Sequence, residues 1–222
     1  MTRITNRLFS RMLSNKGYTI DQTILIVAII AILITLVIVT VGWQLINRAG
    51  GTRAGAQIKQ VEDANGQFFS DQRVWPTQAL TANTSVSAMA VIANAAIPTA
   101  SWLPNIDQAR LHNLVPGFTI TGAGVTAVVN HSMGAGGQVK QQQNIMAVVS
   151  ADPRIVVQFA AVPLADAQEA DRAIDGVAGF NTGRLVYGAT ACLNDTSGGA
   201  IALPAVQAAS GNVFVCYGAN SI

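Results

Sequence analysis

A chain of 222 residues, half of them hydrophobic and only 11% charged, holds one sizeable folded domain beside any long apolar segment. Its formal charge of +2 depends on Arg3, Arg7, Arg11 and Lys16; without these four, nine basic residues face eleven acidic ones, a net of −2, which argues against a nucleic-acid footprint. Abundant Ala and Gly with few aromatics fit a small-residue, tightly packed extracellular domain better than a nucleotide-binding enzyme.

Residues 1–17 are basic and polar and contain no acid. Ile4, Leu8 and Met12 fall on one side of a helical wheel and Arg3, Arg7 and Arg11 on another. That spacing fits an amphipathic helix on an anionic membrane face, or simply a basic flank. Residues 23–43 follow as an uncharged apolar run of about 20 residues, the length a helix needs to cross the hydrocarbon layer. The run is longer than the core of a secretory signal, and no Ala-x-Ala site follows it. A positive N-terminal flank stays in the cytoplasm, so the run is expected to span with its C-terminal end outside.

The junction Lys16-Gly17-Tyr18-Thr19-Ile20, ahead of the apolar run, resembles the N-terminus of a type IV prepilin. The long leader, the non-Phe residue after Gly17 and the length of the remaining chain resemble the type IVb branch. The specific motif covers about residues 16–40. The resemblance implies a leader (1–17) cut between Gly17 and Tyr18 by a prepilin peptidase that also N-methylates the new terminus. It also implies storage in the bacterial inner membrane, transfer through an assembly platform, and a helical homopolymer outside the cell. The implied fold is α+β: a long N-terminal helix on a mostly antiparallel sheet, the pilin roll. At the fifth mature position the family carries a Glu that pairs with a terminal amino group. Here Gln22 holds that position and Asp21 precedes it, so Asp21 is the candidate for the pairing, with Gln22 able only to hydrogen-bond. Minor pilins and secretion pseudopilins share the architecture, and some lack that Glu. A signal-anchored extracytoplasmic binding domain that never polymerises is the rival from another class.

The long helix is expected over residues 18–75, with its apolar assembly half at about 19–45. Ala54, Ile58, Val61 and Phe68 recur at helical spacing, so one stripe of the second half faces a core. Gly42, Gly50, Gly51 and Gly55 weaken the middle, each at about 1 kcal/mol relative to Ala. Residues 47–55 therefore read as a joint, either simply flexible or able to unwind in a fibre. Trp75-Pro76 is expected to end the helix. The head, 76–222, then opens with a polar loop and a short helix at 87–96 ended by Pro98. A helical turn or two is expected within 105–115. Strands are expected at 117–121, 125–130, 145–150, 155–161, 185–187 and 213–217. Residues 131–137 read as a turn, Gln141-Gln142-Gln143 as a loop, Asp152-Pro153-Arg154 as a turn, and 163–174 as a helix ended by Gly176.

Cys192 and Cys216 read as a disulfide in an exported domain, closing a loop of about 25 residues and contributing on the order of 3 kcal/mol; two buried thiols are the alternative. Type IV pilins similarly close a C-terminal region with a disulfide, here 192–216. No catalytic set, metal site or cofactor is expected. His112 and His131 lack ligands at useful spacing, and Ser132 lacks a nucleophile-elbow context. Gly134, Gly136 and Gly137 lack the strand and helix of a phosphate loop. Asp166, Glu169, Asp171 and Asp175 read as a solvated helix face. Trp75 and Trp102 read as core. The expectation is a structural subunit rather than an enzyme.

Overall fold

The structure, a computed structural model, describes residues 20–177, 179–194 and 196–222, with no side-chain detail for 43–48. The chain forms two compact units, Met1–Leu45 and Ile46–Ile222. The helix α1, Ile20–Gln72, contributes to both.

In the first unit, Ile20–Gly42 is long and apolar enough to cross a membrane. Every residue from 20 to 41 is exposed. Two of its threonines donate to the preceding turn: Thr35 Oγ1 to Ala31 O at 2.8 Å, and Thr40 Oγ1 to Leu36 O at 3.1 Å. Such back-bonding lets a hydroxyl sit on an apolar surface.

The second unit is α+β. The stripe expected on α1 is its core face: Ala54, Ile58, Val61, Ala64 and Phe68 are all buried. Their partners lie on one face of a six-stranded antiparallel sheet of order β1-β2-β3-β4-β6-β5. The strands are β1 Thr119–Thr121, β2 Val128–His131, β3 Gly137–Ile145, β4 Pro153–Pro163, β5 Leu185–Gly188 and β6 Asn212–Ser221. Val157, Phe159, Val215 and Tyr217 face the α1 side, whereas Val156, Val186 and Cys216 meet Met146, Cys192 and Ile201 on the other. Both faces of β4 are therefore covered, which is why its middle is apolar at successive positions and does not alternate.

Two shorter helices complete this second unit, Ile46–Ile222, called the head from here on. α2, Ser85–Ala93, starts at a reciprocal cap in which Ser87 N donates to Thr84 Oγ1 at 3.1 Å and Thr84 N to Ser87 Oγ at 2.8 Å. It ends at Asn94, whose φ of 51° is left-handed, before Pro98 is reached. α3, Leu164–Asp175, ends at Gly176, also left-handed.

The helical turn expected within 105–115 is present as one 3-10 turn, Gln108–Arg110. Several other expectations are corrected. α1 stops at Gln72 because Arg73 turns left-handed (φ 59°) and donates its N–H to Phe69 O; Trp75-Pro76 instead opens a 3-10 turn, Pro76–Gln78. Residues 47–55 are helical, and α3 side chains lie against Gly50 and Gly51: a Cβ at Gly50 would meet the Asp166 carboxylate, and one at Gly51 would meet Glu169 Cβ and Cγ. Gly50 and Gly51 make room for this packing. Gln141, Gln142 and Gln143 lie within β3, not in a loop, because Gln141 finds buried partners on two other elements. Residues 145–150 mostly form a turn, with Val149 N and Ser150 N both donating to Met146 O. The first half of 125–130 is a 3-10 turn, Gly124–Thr126. The expected turn at 152–154 survives only at Asp152, since β4 begins at Pro153.

Candidate functional site

The largest unmatched surface is the apolar half of α1. Successive residues of a helix point about 100° apart, so four in a row sample the whole circumference. Ile24, Leu25, Ile26 and Val27 are all exposed, as are Ile32, Leu33 and Ile34 a few turns on. No face of this segment is polar, so it has no side fit for water. Each such side chain leaves roughly 1.5–3 kcal/mol of burial unrealised. The surface is compatible with membrane anchoring or a signal sequence, and equally with packing against copies of itself.

Asp21 stands in the first turn of α1, where the helix dipole favours a carboxylate. Gln22 follows it, and both are exposed. The processing junction, Gly17 and Tyr18, and the leader lie outside the described residues.

Cys192 and Cys216 form a disulfide between the segment after β5 and the middle of β6. Cys216 pairs in register with Val186 on β5 and with Gln158 on β4. Gln158 supports the bridge: its Oε1 accepts from Cys192 N and Leu193 N, both at 3.0 Å. The tethered segment is thereby fixed to the sheet by a covalent bond and a buried amide together.

The head also contains polar groups that the sequence conceals. Glu62, at the margin of the α1 stripe, accepts from Arg184 just before β5 and from Tyr217 Oη on β6 at 2.7 Å. Arg184 also lies over the Tyr217 ring, 4.8 Å from its centre. Burial alone would raise the Glu62 pKa, but hydrogen bonds from Tyr217 and Arg184, with the guanidinium charge, hold it below the ordinary value. Glu62 falls four residues after Ile58, and that spacing was the available signal. Asn65 Nδ2 donates to Gln141 Oε1, and Gln141 Nε2 to Ala88 O, linking α1, β3 and α2. Gln57 exchanges hydrogen bonds with Ser132, which also accepts from Arg53.

Asp171 corrects the expectation of a solvated acidic face, because it is 0% exposed. Its Oδ2 accepts from Gly179 N at 2.6 Å. Burial, with the charge of Asp175 one turn later adding to it, raises its pKa to about 6. Asp166 is likewise raised by burial, although Arg53 opposes the shift.

The histidines are not brought together. His131 is buried, donates from Nε2 to Ala160 O and accepts from Met133 N at Nδ1, which fixes it as a neutral ring; burial lowers its pKa. His112 bonds to Arg110 O. Among the described residues no group of three or more His, Cys, Asp and Glu side chains could hold a metal ion. Gly134 and Gly136 take left-handed conformations in the β2–β3 turn. Trp102 is buried, and Trp75 stacks on Phe69 with ring centres 4.3 Å apart.

No protein-family model, curated protein or solved structure matches this chain.

Proposed function

We infer that this chain is the structural subunit of a type IVb-like pilus, held in the bacterial inner membrane by residues 20–42 before polymerising through them. The observation that carries this reading is one helix with two characters. Its first half is apolar all round, and its second half presents a single stripe to an antiparallel sheet. An anchor needs only the first property. A subunit that leaves lipid for a fibre core needs a surface that fits either, because lipid tails and packed Ile, Leu and Val side chains are equally apolar. The head would then form the fibre coat, with the pilin-like roll as its fold and the disulfide-closed region as part of its outer surface.

In this reading a prepilin peptidase cuts after Gly17 and methylates Tyr18, and an inner-membrane platform passes the subunit to a homopolymer. The filament serves adhesion, aggregation, conjugation contact or motility, and the chain itself carries out no catalysis. Gln22 at the fifth mature position supports a second reading within the same machinery, a minor pilin or type II secretion pseudopilin.

The deciding experiment is the intact mass and N-terminal sequence of protein sheared from producing cells. A chain beginning at Tyr18 with one added methyl, recovered in quantity from fibres, is the expected result. The same processed chain recovered only in trace would favour the minor subunit. A chain beginning at Met1 and confined to the membrane fraction would overturn the pilus reading in favour of a signal-anchored binding domain.

A further inference from the structure

In the segment between α3 and β5, residues 179–184 are held at Gly179 and at the β5 end by carboxylates of α3. Asp175 Oδ1 accepts from Arg184 N at 3.1 Å, and Asp175 Oδ2 from Leu185 N at 2.9 Å. Asp171 Oδ2 accepts from Gly179 N in the middle of the segment. Asp171 Oδ1 is buried and accepts from no donor. What the segment covers is the free edge of the sheet. β5 is the last strand, and its outward Tyr187 N–H donates to Phe180 O at 2.9 Å. An uncovered edge offers its backbone groups to any other strand.

Two acceptor-only carboxylates one helical turn apart lack a donor between them, and a proton on Asp171 supplies it. We propose that Asp171, Asp175 and residues 179–184 form a proton-operated latch over the outer edge of β5, closed while Asp171 is protonated and loosened when both carboxylates are charged. The groups acting on Asp171 itself are Asp175 and Arg172 on α3, and Tyr187 on β5. Arg184, before β5, and Tyr217 on β6 act through Asp175. Arg154, the charged residue of β4, stands at the end of that strand remote from α3. Arg172 lies next to Asp171 in sequence but is exposed and paired with Glu169, and Arg184 is paired with Glu62, so Arg172 opposes the raised pKa of Asp171 only in part. The raised pKa of Asp171 accordingly places the transition between mildly acidic and neutral pH.

The sign follows from linkage. A carboxyl whose pKa is higher in the closed form binds its proton more tightly there, so opening becomes easier as pH rises. With an ordinary carboxyl value in the open form, the opening constant should rise about tenfold between pH 5 and pH 8.

Hydrogen exchange of the full chain in detergent micelles at pH 5 and pH 8 tests this, read as protection factors so that the intrinsic rate divides out. The amides of Gly179, Arg184, Leu185 and Tyr187 should lose about tenfold of their protection at pH 8, while central β3 and β4 amides hold theirs. Asp171→Asn should keep the latch protected at both values. Asp175→Asn, which removes the opposing charge, should shrink the pH effect and serves if the first variant does not fold. Equal protection at both pH values in the unaltered chain would refute the latch. So would an undiminished drop in the Asp171→Asn protein, or a drop shared by the β3 and β4 amides.

Discussion

Glu62 and Asp171 are both carboxylates within the head, and their surroundings move them in opposite directions. Glu62 has two donors and a cation, so its folded pKa lies below the ordinary 4.5. Its contribution is present above that value and is lost as pH falls through the lower folded pKa. Asp171 has burial and a like charge, so its folded pKa rises to about 6. Its contribution is complete below about pH 3.8 and is lost as pH rises through 6. The two groups therefore oppose each other: acid removes the Glu62 contribution, and ionisation of Asp171 between about pH 3.8 and 6 removes its own. Thermal melts of Asp171→Asn should show a gain on the order of 2–3 kcal/mol at pH 8 and little change at pH 4. Glu62→Gln should lower the melting temperature at pH 7 and flatten the acid limb of the profile. A variant profile parallel to the parent's would assign the pH dependence elsewhere. Asp21 belongs to the proposed assembly step, and its variants are scored on fibre recovered from cells. Asp21→Asn should reduce the yield, whereas Gln22→Glu should maintain or raise it. Unchanged yield from Asp21→Asn would remove the pairing role from that position.

At the scale of elements, the glycines of α1 separate into two kinds. A Cβ at Gly55 meets nothing within 4 Å, so Gly55→Ala should gain about 1 kcal/mol from helix propensity alone. At Gly51 the same change drives a methyl into Glu169 Cβ and Cγ, atoms too near the α3 backbone to swing away, and should cost roughly 1–3 kcal/mol. Calorimetry of the two variants distinguishes a packing site from a flexible joint, since a mere joint would gain from both changes. Replacing both Cys192 and Cys216 by Ser should cost about 3 kcal/mol, measured by denaturant unfolding under non-reducing conditions. Elements with a local signal were legible in the sequence: the apolar run, the 54–68 stripe, the cap of α3 at Gly176, and most of β4. β3 was not, because Gly-Gln-Val-Lys-Gln-Gln-Gln-Asn-Ile shows little apolar alternation. What makes it a central strand is Asn65 and Ala88 meeting Gln141 from far away in sequence. The converse error at 145–150 has the same origin: Ile-Met-Ala-Val-Val is apolar enough for a strand, yet Met146 packs beneath the disulfide and its carbonyl closes a turn. The burial of Asp171 has no local signal, because its neighbours in α3 are polar and the loop that buries it returns only at Gly179.

Across the molecule as a whole, unmatched apolar surface is distributed unevenly. The head has its own core on both faces of the sheet, a disulfide, and a polar network with Glu62 paired. Its exposed large apolar residues, such as Ile120, Val149, Leu203 and Val206, are scattered. Scattered exposure of this kind is ordinary for a soluble domain. Residues 20–41, by contrast, expose an unbroken apolar cylinder. If that cylinder is the part made for lipid or for a fibre core, residues 46–222 alone should be a soluble monomer that unfolds cooperatively, with the disulfide formed. The full chain should need detergent and should associate when the detergent is withdrawn. Sedimentation of both forms checks this. An insoluble or oligomeric fragment would mean that the head carries an association surface of its own, and assembly could then no longer be assigned to the apolar helix alone. A soluble full chain without detergent would require residues 20–42 to be covered by protein, and the membrane stage of the proposed pathway would lose its physical basis.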